Sequence, residues 1–143
     1  MRTDRGFSLL ELLIVVAIIL IIVTIAIPSL LRSRQAANES SAVSSLRLLN
    51  TAEVTYASDH QGSYGQISEL VSAGLIDSRF QNIVSGYSFT IDVSVSTLDY
   101  TANAVARAAN DGRHDYWTTP EYIIRYSTDS TRAPTGLSGQ PVR

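Results

Sequence analysis

The 143-residue chain contains no cysteine, and its eleven basic residues are all arginine. Lack of cysteine excludes disulfides, thiolate metal sites and cysteine nucleophiles. Lack of lysine excludes a Schiff-base amine and the ammonium of a phosphate-binding loop. The net charge of −2 is too small to draw nucleic acid, and no nucleic-acid partner is expected. No nucleophile elbow, Walker loop or dinucleotide fingerprint is present. Gly136-Leu137-Ser138-Gly139 falls one residue short of the elbow spacing. His60 and His114 lie far apart, in predicted loops, outside any zinc-binding helix pattern. No acid–base constellation assembles, so the chain is not expected to be an enzyme; catalytic residues and a cofactor are both expected to be none.

What the chain does have is a long apolar run with one carboxylate at its mouth. It reads Gly6-Phe7-Ser8-Leu9-Leu10-Glu11, then Leu12 to Ile27 with Thr24 as the sole interruption. As a helix, Leu12 to Leu31 spans about 30 Å, the thickness of a bilayer's hydrocarbon core. An unpaired charge there costs about 3 kcal/mol on insertion scales, so a partner is expected for Glu11. The run itself holds no basic residue.

A cleaved secretory signal fits poorly, because Thr24-Ile25-Ala26 is a poor cleavage site and Pro28 follows closely. A plain single-span anchor explains the length but not Glu11. A buried soluble-core helix is rarely apolar on all sides. The fourth reading rests on the segment from Gly6 to Glu11 with the apolar run behind it. It resembles the class III signal of type IV pilins and of the related major pseudopilins of type II secretion. The six-residue leader and Phe7 resemble the type IVa and pseudopilin branch.

The resemblance implies that a prepilin peptidase cuts after Gly6 and that Phe7 becomes an N-methylated, still cationic terminus. It implies an assembly ion pair between Glu11 and the Phe7 amine of an adjacent subunit. The implied partners are copies of the same chain, the peptidase, an inner-membrane platform with its ATPase, and membrane lipid before assembly. The implied location is a single-pass inner-membrane protein with its C-terminal domain outside the cytoplasm, then a periplasmic or surface filament. Arg2 and Arg5 before the span and Arg32 and Arg34 after it leave the positive-inside count tied, so orientation rests on the resemblance.

Pro28 sits inside the helical pattern, where it removes a hydrogen bond to Thr24 and crowds that carbonyl. The pattern resumes through Leu30, Leu31 and Val43 to Tyr56, so a kinked but continuous helix is expected. Ala42, Leu46, Leu49, Ala52 and Tyr56 form an apolar face; Ser33, Gln35, Asn38, Glu39, Ser44 and Arg47 supply polar positions. Asn38-Glu39-Ser40 matches an N-glycosylation pattern but reads as a helical surface patch. The turn-rich His60 to Gly65 ends the helix, and Ile67, Leu70 and Val71 fit a short second one stopped at Gly74.

Alternation from Tyr87 to Val95 predicts a half-buried strand. Tyr100–Ala108, Tyr116–Thr119 and Tyr122–Tyr126 are read as further strands, and Ser127–Arg143 as an irregular tail. The predicted fold class is α+β and pilin-like: a long kinked N-terminal helix on an antiparallel meander of three or four strands. The expected divisions are 1–6 leader, 7–31 membrane half of the helix, 32–58 amphipathic half, 59–127 globular domain and 128–143 tail.

The expected function is a structural, major pilin-like subunit of a type IV pilus-type filament. The alternatives are a type II secretion pseudopilin, toward which the missing cysteine pair tilts the reading, and a membrane-tethered binding module. Asp111, Asp115 and Asp129 are the candidate calcium ligands, with solvated loop carboxylates the preferred account.

Overall fold

The structure is a computed structural model that describes residues 7–127 and 139–142. Helix α1 runs over Leu9–Asp59 with Pro28 inside it. The chain divides into two units: one ends at Arg34, the other begins at Gln35. In the first, every described residue is exposed. In the second, α1 buries Ala42, Val43, Leu46, Leu49 and Ala52, the stripe expected from its three-and-four spacing.

The turn after α1 uses left-handed backbone at Gln61 and Gly62, with the Gly62 N–H returning to the Ala57 carbonyl. Helix α2 covers Ile67–Ser72 and begins where the Glu69 carboxylate accepts the Gln66 N–H at 2.7 Å. It stops at Gly74, whose φ of +71° is easily adopted only by glycine, while the Leu75 N–H returns to Leu70. A 3₁₀ turn over Ser78–Gln81, absent from the sequence expectation, is capped by Asp77, which accepts from the Arg79 N–H.

Among the described residues, five antiparallel strands follow in chain order: β1 Tyr87–Val93, β2 Tyr100–Ala106, β3 Tyr116–Thr118, β4 Arg125–Tyr126 and β5 Gln140–Pro141. The first hairpin is in register from Tyr87↔Ala106 to Val93↔Tyr100. Along β1, Tyr87, Phe89 and Ile91 are buried and Ser88, Thr90 and Asp92 exposed, as the alternation predicts. The alternation overshoots at Val95, which is fully exposed. The chain has already turned there, with Ser94 and Asp99 closing the loop. In β2 the alanines favour helix by propensity, but pairing with both neighbours decides for strand.

Two further expectations are corrected. The strand placed at Tyr122–Tyr126 shrinks to its last two residues, because Tyr122 adopts a φ of +64° in a turn closed onto Thr119. The tail is not wholly irregular: Arg125 pairs with Pro141 and Tyr126 with Gln140, which adds a fifth strand. Proline is tolerated there because β5 is an edge. One core joins the α1 stripe, Ile67 and Leu70 of α2, Ile76, Phe80, and the inner faces of β1 to β3.

Candidate functional site

The first unit is the candidate site. Its helix starts where the Ser8 carbonyl accepts the N–H groups of Glu11 and Leu12 at 3.1 and 3.2 Å. Two hydroxyls of this unit bond locally: Thr24 donates to the Ile21 carbonyl at 2.7 Å, and Ser33 to the Ser29 carbonyl at 3.1 Å. For Glu11, among the described residues, no basic side chain forms an ion pair. Phe7 is exposed, and Gly6 lies outside the described residues.

Helix α1 is long and apolar enough to cross a membrane. Its exposed leucines, isoleucines and valines are a surface that water disfavours. Pro28 does not interrupt the helix, as expected of a tolerated membrane proline.

In the second unit, α1 is fastened by polar side chains the sequence reading treated as surface or passed over. Gln35 donates to the Ala109 carbonyl at 2.7 Å and Asn38 to the Asp111 carbonyl at 2.8 Å. The glycosylation-like Asn38 is therefore not a free surface patch; its amide is spent on a tertiary bond. Glu39, expected at a polar position, is buried and accepts the Arg113 N–H at 2.7 Å. Asn50 is buried between Tyr100, whose hydroxyl donates to Oδ1 at 2.9 Å, and Thr118, which accepts from Nδ2 at 3.0 Å. Glu53 is also buried. Asn38, Glu39, Asn50 and Glu53 lie three or four positions from the apolar stripe and so share its face, but their polar character gave no sign of burial.

Asp111 and Asp115 are engaged within the protein. Asp111 pairs with Arg107 at 3.2 Å, and Asp115 accepts the Ala106 N–H at 2.8 Å. Asp129 lies outside the described residues. Among the described residues no cluster of three metal-ligating side chains occurs. His60 stacks on Tyr56 and His114 lies against Tyr126, so the two histidines occupy separate places.

An exposed, membrane-length helix with an acid in its first turn that no described residue pairs, continuing into a small α+β head, defines a pilin-like, membrane-anchored subunit. The family comparison agrees, matching residues 1–27 to the prokaryotic N-terminal methylation motif. The type IV wide pilus major component PilA4 of Thermus thermophilus is 30% identical over 132 residues, 91% of this chain and 92% of that one. The type IV major pilin protein PilA of Myxococcus xanthus is 43% identical over 109 residues, 76% of this chain but half of that longer one. A ComG operon protein 3 homolog of Bacillus licheniformis is 29% identical over 73 residues, 51% of this chain and 75% of that one. No solved structure gives a significant match.

The chain belongs to the type IV pilin family and is a structural pilus-type subunit. The missing cysteine pair does not shift it toward the secretion pseudopilins, because the pilus relatives cover most of its length.

Proposed function

We propose that this pilin is stored as a single-pass inner-membrane protein with its head outside the cytoplasm. A prepilin peptidase cuts it after Gly6 and N-methylates Phe7, and a platform driven by an ATPase draws it into the filament. Glu11 pairs there with the Phe7 amine of the adjacent subunit. The observation that supports this reading is that, among the described residues, no basic side chain pairs with Glu11 at the mouth of the exposed apolar helix.

The energetics favour such a pair. A lone carboxylate in hydrocarbon costs about 3 kcal/mol, and the attraction to a nearby ammonium is strong where the dielectric is low. A subunit out of register keeps the penalty without the attraction, so Glu11 selects register. The stretch around Pro28 already lacks one hydrogen bond and is where helicity is lost on assembly; filament density showing unbroken helix through Ala26 would remove that step.

Two measurements test the scheme. Mass spectrometry of filament protein should give a chain starting at Phe7 with one added methyl; an intact Met1 contradicts processing. Glu11→Val should be made and inserted but fail to polymerise, and normal polymer from that variant contradicts the pairing.

A further inference from the structure

The corner where α1 meets the following loop contains an acid surrounded for its neutral form. Glu53 has no exposure to solvent. Its Oε2 accepts one hydrogen bond, from the Gly65 N–H at 3.1 Å, and its Oε1 is buried without a partner. An ionised carboxylate offers about four acceptor sites. The ion pairs among the described residues are Arg107–Asp111, Arg113–Glu39 and Arg125–Glu121, none of which involves Glu53.

The titratable groups around Glu53 are neutral or negative. Tyr56 comes from its own helix, Tyr64 from the loop, Glu69 from α2 and Tyr100 from β2, with Asp99 acting on the two latter tyrosines. His60 stacks on Tyr56 at 3.8 Å and its Nδ1 faces the Tyr56 carbonyl; among the described residues no cation forms an ion pair with the acid.

The loop that supplies the single hydrogen bond is a tight fit. A Cβ on Gly65 would fall 2.8 Å from the Tyr56 ring. On its other side the loop is tied to the β1–β2 turn, where the Tyr64 N–H donates to the Thr97 carbonyl at 2.8 Å and the Thr97 hydroxyl to Ser63 at 3.2 Å. We propose that Glu53 is a proton-operated latch: protonated, it holds the 60–66 loop and the start of α2 closed against α1, and ionised, it releases them.

Burial pushes the Glu53 carboxyl up to about 7; the Gly65 N–H pulls it back down, and the Glu69 charge adds to the rise. In the open corner, as in an unfolded chain, the same group titrates near its ordinary value of about 4.3. The closed form therefore binds more protons between these values. Closure is strongest below the ordinary value, weakens as pH rises to about 7, and is flat above it. Within that window the opening constant grows by up to about tenfold per pH unit.

The test is hydrogen exchange on the full-length protein in detergent micelles, corrected for intrinsic rates, across this pH range. Protection of the Gly65 amide and residues 62–70 should fall with pH and level off near 7. Glu53→Gln, uncharged at every pH, should abolish that dependence, and Glu69→Gln should move the midpoint downward. Unchanged pH dependence in Glu53→Gln, or none in the native chain, overturns the latch. Should Glu53→Gln not fold, carbon NMR of the native Glu53 carboxyl decides: a midpoint near 7 that coincides with the loss of protection at residues 62–70 upholds the proposal, and an ordinary carboxylate midpoint, or one unlinked to that loss, overturns it.

Discussion

Glu39 and Arg113 meet twice. The backbone N–H of Arg113 donates to Glu39 Oε1 at 2.7 Å, and the guanidinium Nε lies 3.5 Å from the same oxygen. The two contacts differ in weight. The Arg113 side chain is 63% exposed, so its charge is screened, whereas Glu39 is buried and its carboxylate raises the Tyr116 phenol. Glu39→Ala should thus strand the Arg113 N–H and cost about 1–3 kcal/mol in urea unfolding. Arg113→Ala keeps the backbone bond and should cost under about 1 kcal/mol. Equal losses in the two variants would show that the exposed ion pair carries the contact.

Asn50 links the helix to two strands through Tyr100 and Thr118. All three residues are buried, so each unpaired group retains its desolvation cost. Tyr100→Phe should cost about 1 kcal/mol and Asn50→Ala more, in the range of about 1–3 kcal/mol. The double variant should lose less than the sum, with a coupling of at least about 0.5 kcal/mol; strict additivity would mean that the bond seen here contributes nothing.

The buried tyrosines set an alkaline limit. Burial first, and then the negative groups Tyr122, Glu53, Tyr64 and Asp99, push the Tyr100 phenol above its ordinary range. Burial likewise raises Tyr116, with Glu39 adding to the rise and Arg113 opposing it. The folded state keeps these protons after the unfolded chain would lose them near 10, so stability is retained below that value and lost above it. Phenolate absorbance from Tyr100 and Tyr116 should appear only above the ordinary tyrosine range, together with loss of circular dichroism. A smooth titration of all tyrosines near 10 with the fold intact would contradict the burial of Tyr100 and Tyr116.

Much of this arrangement was legible in the residues. The α1 stripe of Ala42, Leu46, Leu49 and Ala52 and the β1 alternation of Tyr87, Phe89 and Ile91 follow from spacing alone. Gly74 marked the end of α2 because a left-handed turn favours glycine. Other features depended on distant partners. Glu39, Asn50 and Glu53 sit at core positions of α1, but their polarity hid them until Arg113, Tyr100 and Gly65 supplied bonds. Strand β5 is two residues, one of them a proline, and exists through its pairing with β4. Glu11 was legible as an anomaly because an unmatched charge in an apolar helix is costly wherever the rest of the chain goes.

The pairing of that acid is tested most directly by a cryo-electron microscopy map of the assembled filament at side-chain resolution. The account predicts the Phe7 amine of one subunit within about 4 Å of the Glu11 carboxylate of its neighbour, the ion-pair distance. A map in which Glu11 faces water, or in which no amine approaches it, would contradict the account.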